Sequence, residues 1–257
     1  MPDIHPTAIV DKKARLAESV VIGPYTIVEG DVVVGEGTRI DSHILIAAGA
    51  RIGCHCHIHH GVVVSTAPQD LKYAGEKTTL EIGDYTVIRE YCDLNRGTED
   101  RGKSVIGSHC LLMAYTHVAH DCFIGDHVIL ANGVQMAGHV TLGDWVIIGG
   151  LVPIHQFCRI GQHSMIGGGF RTVQDVPPYI LAAGDPLTFK GLNIVGLKRR
   201  GFSKETISAL RKCYRLLYRS KLNTHQAIDT IQSELEIIPE IQSVLDFIGS
   251  SERGIIH

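Results

Sequence analysis

The sequence lacks the features of a membrane-spanning or exported protein, and it carries no strong charge of either sign. Its 24 Lys and Arg residues against 27 Asp and Glu give a formal net charge of −3. This balance gives no reason to expect a nucleic-acid partner, which a strongly basic chain would attract. No apolar run has the length of a transmembrane helix, and the N-terminal residues do not form a signal peptide. We therefore expect a soluble cytoplasmic protein without stable membrane insertion.

The first two thirds of the chain also lack the apolar spacing of an amphipathic helix and contain instead a repeat of six residues. From Ile4 to Ile166, 25 of the 28 positions spaced six apart are aliphatic or Met, with Asp70, Glu76 and Asp100 as the exceptions. A small or β-branched residue follows four positions after most of them. Enrichment in Val and Ile favours strands, and a fixed short period is typical of a solenoid.

A unit of six residues holds one short strand and one turn, and its single apolar face cannot be buried alone. Three units that close a triangular prism give 18 residues per coil, hence about nine coils stacked about 4.8 Å apart. Both interruptions, Val64 to Ile82 and Leu94 to Ile106, span whole multiples of six residues, which predicts loops extruded from an intact register. The pattern resembles the left-handed parallel β-helix of hexapeptide-repeat acyltransferases, and the left hand is taken from that resemblance.

The period fades after Ile166, and from Ser203 the apolar spacing becomes helical. We predict one helix capped by Ser203, a second that starts after Thr224, and a third that starts near Pro239 and ends at Gly249. The chain thus divides into a mainly β catalytic domain, residues 1–190, and a C-terminal α-helical domain, residues 191–257. The helical part is small for an independent core, so we expect it to cover the last coil or to contact a neighbouring subunit.

The seven cysteines do not predict a metal centre or disulfides. Five of them occupy the small-residue positions of the repeat, where a reduced Cys packs as a small apolar side chain. The segment from Cys54 to His60 resembles a metal-binding tract, but the repeat sends alternate residues to opposite sides of the wall. We therefore expect no metal there. The five cysteines are Cys56, Cys92, Cys110, Cys122 and Cys158.

The histidines are the most informative polar residues, because the coil length brings several of them to one edge. His120, Gly138 and Gln156 are 18 residues apart and therefore stack vertically, with His139, His155 and His117 as close neighbours. The interruption over residues 99–103 lies beside this stripe, and a non-repeating loop in that place indicates the wall of a site. Isolated surface histidines are common, but a whole set on one edge favours function.

This set suits proton transfer to and from a hydroxyl group. A histidine titrates near neutral pH and accepts a proton readily, and Asp121 or a backbone carbonyl would orient the ring of His120. Gly138 offers a backbone N–H that a substrate can approach closely, as an oxyanion donor requires. No Ser or Cys stands out as a nucleophile, so direct attack by the acceptor is the simpler scheme.

Five segments carry a resemblance to a known family that covers the chain essentially from end to end. The segment His117–Cys122, with the sequence HVAHDC, resembles the catalytic motif of the UDP-N-acetylglucosamine O-acyltransferases, which start lipid A synthesis. These motifs are more specific than the hexapeptide repeat, which many acyltransferases share. The other four segments are Gln69–Glu76, Ile154–Cys158, Gln174–Tyr179 and Gly196–Phe202.

The resemblance implies a homotrimer with active sites between adjacent prisms. The implied reaction transfers an (R)-3-hydroxyacyl chain from acyl carrier protein to the glucosamine 3-hydroxyl of UDP-N-acetylglucosamine. His120 would be the general base and the Gly138 N–H the oxyanion donor. Gly168 matches the position at which the family measures acyl-chain length, and a glycine there leaves the cleft open for a longer chain. We expect no cofactor beyond the phosphopantetheine that carries the acyl donor.

The resemblance also implies a set of sugar-nucleotide contacts. Asp70 and Lys72, on the first interruption, would bind the sugar nucleotide from the neighbouring subunit. Arginine suits phosphate, and Arg199 and Arg200 with Asn193 would contact the nucleotide end. The remaining residues of the cleft would be His117, His139, His155 and Gln156.

The sequence departs from the residue pattern of this family at two positions, and two alternative functions compete with the hypothesis. Val195 stands where the family has an acidic residue, which weakens one expected uridine contact, and Asn95 replaces an expected histidine. One alternative is the paralogous N-acyltransferase, which acts on the next acylated sugar nucleotide. That family carries an additional N-terminal domain, whereas the repeat begins here at Ile4. A γ-type carbonic anhydrase needs zinc-binding histidines that are usually five apart, whereas His117 and His120 are three apart.

Overall fold

The computed structural model describes all 257 residues, and residues 3–166 wind into a parallel β-helix with three flat faces. Most strands are two residues long, because each turn of the repeat leaves only that many residues on a face. Sheet A contains nine such strands and, at its end, a hairpin. Its strands are Asp3–Ile4, Val21–Ile22, Arg39–Ile40, His57–Ile58, Val87–Ile88, Leu111–Leu112, Ile129–Leu130, Ile147–Ile148, Met165–Ile166, Ile180–Ala183 and Thr188–Leu192.

The other two faces have eight strands each. Sheet B consists of Ile9–Val10, Ile27–Val28, Leu45–Ile46, Val63–Thr66, Asp93–Asn95, His117–Val118, Gln135–Met136 and Pro153–Ile154. Sheet C consists of Arg15–Leu16, Val33–Val34, Ala50–Ile52, Thr79–Ile82, Lys103–Ile106, Phe123–Ile124, Thr141–Leu142 and Arg159–Ile160. We name the edges where the chain passes between sheets the AB, BC and CA corners.

The strand register confirms that the interruptions are loops extruded from an intact helix. Outside them, paired residues are one coil apart, as in the pairs His117–Gln135 and Gln135–Pro153. Across the first interruption His57 pairs with Val87, and across the second Val87 pairs with Leu111. Both offsets are multiples of six, so every aliphatic residue keeps its inward direction. Both loops leave the prism at the BC corner.

The interior of the prism is the stack of aliphatic residues predicted from the period. From Ile22 to Ile166, each of them is at most 3% exposed. The five cysteines of the repeat are buried and free, as predicted. Burial raises the pKa of Cys122 to about 12, so its thiol stays protonated and packs as an apolar group. At the open first coil, in contrast, Ile4 is 37% exposed.

The C-terminal segment forms four helices: α1 (Ile194–Arg199), α2 (Lys204–Arg219), α3 (Thr224–Glu234) and α4 (Pro239–Gly249). Ser203 caps α2 as predicted, whereas Asn223 caps α3 through a capping box. Neither the short helix α1 nor the hairpin before it was predicted, because neither has a distinct apolar period. None of the helices is both long and apolar enough to cross a lipid bilayer.

The helices and the prism share one hydrophobic core. Buried residues of α2 and α4 belong to the same apolar cluster as the prism interior. The buried Tyr214 hydroxyl donates to the carbonyl of Pro178, and Arg159 on the prism donates to the carbonyl of Ser250 at 2.7 Å. The helical part therefore closes the last coil. The predicted boundary at residue 190 lies within the last hairpin strand.

Candidate active site

The centre of the candidate site is a His–Asp pair at the BC corner. The strand His117–Val118 ends just before the turn that carries His120 and Asp121. His120 Nδ1 lies 2.8 Å from Asp121 Oδ2, the Asp121 side chain is fully buried, and that of His120 is 14% exposed. Burial acts to raise the pKa of Asp121, but hydrogen bonds from Thr98 and His120 outweigh it and hold this pKa below its usual value.

Gly138 lies directly against the His120 ring on the next coil. A Cβ atom at this position would be 2.6 Å from His120 Cε1 and 2.8 Å from Nε2, closer than van der Waals contact allows. The backbone N–H of Gly138 has no acceptor in the protein. The glycine therefore makes room for the imidazole and leaves a free N–H donor beside it.

His139 packs against the pair from the same side. Its ring meets the His120 ring edge to face with 5.1 Å between centroids, and it stacks on Phe157 at 4.6 Å. Its Nε2 is 3.7 Å from Asp121 Oδ2, and its Nδ1 is 3.3 Å from Asp100 Oδ2 without hydrogen-bond geometry. Burial lowers the pKa of His139, so its ring is more readily neutral than that of an exposed histidine.

The two interruptions line a polar groove that also includes His139 and Phe157. Asp70 and Lys72 of the first loop face this groove within the same chain, so a neighbouring subunit is not needed to bring them to it. The guanidinium of Arg96 donates to the Tyr73 hydroxyl at 2.7 and 3.1 Å and thus ties the two loops together. The groove is lined by Asp70, Lys72, Tyr73, Glu76, Thr98, Glu99, Asp100, His139 and Phe157.

The other members of the histidine stripe are nearby on the prism but not packed against His120. His117 lies on the outer face of sheet B, 3.1 Å from Asp93, and lines a separate shallow groove. His155 Nδ1 lies 3.1 Å from the carbonyl oxygen of the exposed Gln156. The predicted vertical order of His120, Gly138 and Gln156 follows from the strand register. Only His120 and His139, however, have rings in mutual contact.

The residues assigned to the nucleotide end lie at a different corner of the prism. Asn193 caps α1 and donates to the carbonyl of His163, a residue of the CA corner. Arg200 lies over the Trp145 ring at 5.2 Å and donates to its carbonyl, whereas Arg199 is exposed. Sheet C separates these residues from the BC corner of the same chain.

Gly168 and the two residues that depart from the family pattern, Val195 and Asn95, lie in three different parts of the structure. Gly168 is exposed at the AB corner, where it stacks on Gly150. Val195 is 62% exposed on α1. Asn95 is buried beneath the first loop and donates to Thr66 Oγ1 at 3.0 Å. None of these three residues belongs to the His120 cluster.

Two groups of side chains bring metal-ligating atoms close together. One is His120, Asp121 and His139, in which His120 Nδ1 and Asp121 Oδ2 form the hydrogen-bonded pair described above. The other is Asp41, His57 and His59 on sheet A. The remaining Cys and His residues of the segment from Cys54 to His60 do not join that second group. Cys56 is buried inside the prism, Cys54 and His55 lie at the CA corner, and His60 Nδ1 is 3.0 Å from Ser42 Oγ. The absence of a metal stays a prediction.

Sequence reasoning missed Thr98, Arg96 and Tyr73. Thr98 binds the Asp121 carboxylate, and Arg96 and Tyr73 join the two loops. Residues in extruded loops have no assigned direction in the repeat, so no pattern marks their partners. The only signal in the sequence was that two interruptions of the repeat lie beside the histidine stripe.

Comparisons with known proteins agree with this architecture over the whole chain. A family model described as UDP-N-acetylglucosamine O-acyltransferase, domain 2, matches residues 175–256, and a bacterial transferase hexapeptide model matches residues 103–138. The acyl-[acyl-carrier-protein]–UDP-N-acetylglucosamine O-acyltransferase of Chlorobaculum parvum is 58% identical over 99% of this chain and 97% of its own length.

Two solved structures are similar at the level of the complete fold. The structure of LpxA from Acinetobacter baumannii has a TM-score of 0.96 and 49% identity, with 99% of both chains covered. LpxA of Bacteroides fragilis, a UDP-N-acetylglucosamine acyltransferase, has a TM-score of 0.97 and 44% identity, with 99% of this chain and 100% of that chain covered. The predicted left-handed parallel β-helix with C-terminal helices is confirmed by these neighbours, and the chain belongs to the acyl-[acyl-carrier-protein]–UDP-N-acetylglucosamine O-acyltransferase family.

Proposed function

We propose that this protein transfers an (R)-3-hydroxyacyl chain from acyl carrier protein to the 3-hydroxyl of UDP-N-acetylglucosamine, the first step of lipid A biosynthesis. The observation that carries the proposal is the His120–Asp121 pair beside the unpaired N–H of Gly138. The names of the curated relatives, at up to 58% identity over nearly the whole chain, support the same reaction.

His120 acts as the general base in this reaction. Its Nδ1 faces Asp121, which leaves Nε2 to take the proton of the sugar hydroxyl. The sugar oxygen attacks the thioester carbonyl, so that the C–O bond forms and the carbonyl oxygen becomes a tetrahedral oxyanion. When this oxyanion collapses to the ester, the C–S bond breaks. The protonated His120 then returns the proton to the departing phosphopantetheine thiolate. The Gly138 N–H donates to the tetrahedral oxyanion, which exists between formation of the C–O bond and cleavage of the C–S bond.

Asp121 keeps the His120 ring in the tautomer with the proton on Nδ1. It also stabilises the imidazolium that forms when Nε2 accepts the substrate proton. Because the carboxylate is fully buried, its interaction with this cation is screened little by solvent. The Cys122 thiol, two residues from His120, is fully buried and stays protonated, so it does not serve as a nucleophile, which agrees with direct attack by the acceptor.

The groove between the two loops is the site for the sugar nucleotide. Asp70 supplies an acceptor for sugar hydroxyls, and Lys72 supplies a positive charge for the diphosphate. His139, His155 and Gln156 extend the polar lining along the BC edge, and His117 adds to it from the outer face of sheet B. Gly168, at the AB corner, limits the length of the acyl chain and, as a glycine, admits a long one.

The active assembly is a homotrimer. Asn193, Arg199 and Arg200 lie at the CA corner, across sheet C from His120. A neighbouring prism that offers its CA corner to this BC corner brings these residues to the nucleotide end of the same cleft. Acyl carrier protein is the second partner, its phosphopantetheine is the only prosthetic group that the reaction needs, and the enzyme works in the cytoplasm.

The experiment compares His120→Ala with the exposed control His225→Ala in a transfer assay with (R)-3-hydroxyacyl carrier protein and UDP-N-acetylglucosamine. Loss of the base should lower kcat by about 10²–10⁴-fold, whereas the control should keep the activity of the parent protein. Chromatography and thermal melting verify that both variants fold. A folded His120→Ala protein with at least a tenth of the parent activity would refute the role of His120.

A further inference from the structure

The Asp121 carboxylate is held by a residue that lies outside the histidine motif. Thr98, in the second loop, donates its backbone N–H to Asp121 Oδ1 at 3.0 Å. Its hydroxyl oxygen Oγ1 lies 2.6 Å from Oδ2, the same oxygen that faces His120 Nδ1 at 2.8 Å. The ionised carboxylate only accepts, so the Thr98 hydroxyl is the donor. One residue therefore contacts both carboxylate oxygens.

The loop around Thr98 is itself firmly attached to the prism. The carbonyl of Gly97 accepts a hydrogen bond from the buried Thr78 hydroxyl. On the other side, Arg101 lies over the Phe123 ring at 4.9 Å and donates to the Asp121 carbonyl at 3.0 Å. Thr98 is thus held at a constant position relative to the turn that carries His120 and Asp121. Rigid support of this kind lets a hydrogen bond determine an orientation.

The orientation of Asp121 depends on Thr98 because, apart from His120, both hydrogen-bond donors to its carboxylate come from this residue. With the Thr98 hydroxyl in place, Oδ2 is directed at His120 Nδ1. Without it, only the backbone N–H of Thr98 still anchors Oδ1, and the carboxylate can turn about its Cβ–Cγ bond so that Oδ2 shares its charge with His139, whose Nε2 is 3.7 Å away. The His120 ring would then lose the partner that defines its direction.

We propose that Thr98 is a positioning residue for the His120–Asp121 pair, so that the second loop controls the alignment of the general base as well as one wall of the groove. This inference rests on the proposed role of His120 and deepens it. Charge-assisted hydrogen bonds to carboxylates are among the stronger ones in proteins, and a small misplacement of a catalytic group has a large effect on rate.

The test uses Thr98→Val, which keeps the shape and the backbone N–H but removes the hydroxyl, and Thr98→Ser, which restores the donor. Thr86→Val is the control, since Thr86 is buried, whereas Thr98 is half-buried, and the Thr86 hydroxyl donates to the carbonyl of Gly107 at the CA corner, away from His120. All variants are assayed for kcat, for KM of UDP-N-acetylglucosamine, and for kcat as a function of pH.

Thr98→Val should lower kcat about tenfold, a part of the 10²–10⁴-fold that a general base contributes, with KM within about twofold. In its pH–rate profile the acid limb should move to lower pH, because an Asp121 carboxylate that turns away from His120 stabilises the His120 imidazolium less. The charged groups around the pair, His139, Asp100 and Arg101, are the same in every variant. Thr98→Ser should recover most of the activity, and Thr86→Val should retain it.

Two results would overturn the inference, and both differ from failure of the proposed function. If His120→Ala is inactive while Thr98→Val keeps the kcat and the pH profile of the parent protein, the base is right and the positioning role is wrong. If Thr98→Val and Thr98→Ser lose kcat equally, the hydroxyl is not the determinant. Retained activity in His120→Ala would instead refute the proposed function itself.

Discussion

Substitution of Gly138 by alanine provides a sharp test of the active-site geometry. The backbone of Gly138 is not in the left-handed region, so an alanine fits the turn without backbone strain. Its Cβ, however, would lie 2.6 Å from His120 Cε1 and 2.8 Å from Nε2. Atoms of this kind approach to about 3.5 Å, so the imidazole has to move by roughly 0.7–0.9 Å, the difference between that limit and these two distances.

A displacement of this size removes His120 from its alignment with Asp121 and with the substrate hydroxyl. Misplacement of a catalytic group by about 1 Å costs up to about a hundredfold in rate, so we expect kcat to fall about 10–100-fold. The N–H at position 138 is retained in alanine, and the oxyanion donor is therefore unchanged. The loss would come from the position of the base alone.

The matched control is Gly30→Ala, which occupies the same place of the repeat at the same corner near the start of the prism. A Cβ there would meet only the Asp11 side chain, at 3.2 Å, and that side chain can move. Both variants are compared in the acyl-transfer assay and by thermal melting. Gly30→Ala should be fully active and both should melt close to the parent protein. Full activity of a folded Gly138→Ala protein would refute the assignment of His120 and Gly138 to one reacting centre.

Three further predictions concern the substrate groove, the acyl chain and acid stability. Lys72→Ala should raise KM for UDP-N-acetylglucosamine about tenfold, the low end for a hydrogen bond to a charged group, with kcat little changed. Lys77→Ala, on the same loop but outside the groove, is the control. An unchanged KM in Lys72→Ala would remove Lys72 from the site. Gly168→Met should shift the preference to shorter acyl chains, because the nearest atoms to a Cβ there are Gly150 O at 3.2 Å and Gly150 N at 3.5 Å, and the longer side chain can occupy the cleft. Each methylene excluded from burial costs about 0.8 kcal/mol, roughly fourfold. An unchanged preference, measured with carrier proteins that bear acyl chains of graded length, would remove Gly168 from the cleft. Burial and the charge of Arg200 lower the pKa of His163 from 6.5 to about 4, so below about pH 6.5 the unfolded chain takes up a proton that the folded chain binds only near pH 4. The free energy of unfolding should therefore fall as the pH drops through this window, by about 1–2 kcal/mol after allowance for solvent screening. Chemical unfolding at pH 7 and pH 5 should show a smaller decrease for His163→Gln than for the parent protein. Equal decreases in the two proteins would assign the acid sensitivity to other groups.

Much of the fold could be predicted because the repeat is local and strict. An aliphatic residue at every sixth position determines which side chains point inward, and Ile58, Leu112 and Ile148 are fully buried in consequence. The same count predicts the vertical order of His120 and Gly138, since a residue in a parallel β-helix lies above the one that is a coil earlier. The helix that follows Ser203 was predicted from its cap and its apolar spacing.

The parts that could not be predicted depend on contacts without a period. The stripe of histidines suggested four converging rings, but only His120 and His139 touch, because His117 lies on a flat face and His155 turns toward the carbonyl of Gln156. The direction of a side chain at a corner depends on its rotamer and on its neighbours as much as on its position in the coil.

The sequence by itself determined the β-helix, its register across both interruptions and the edge that carries the catalytic motif. These features follow from one rule, that an apolar side chain at every sixth residue has to face the interior. Only the tertiary structure decided how the two loops fold back onto that edge. The contact of Thr98 with Asp121 and that of Arg96 with Tyr73 join residues 23 positions apart in the chain. Such contacts depend on the path of an extruded loop, and no repeat dictates that path.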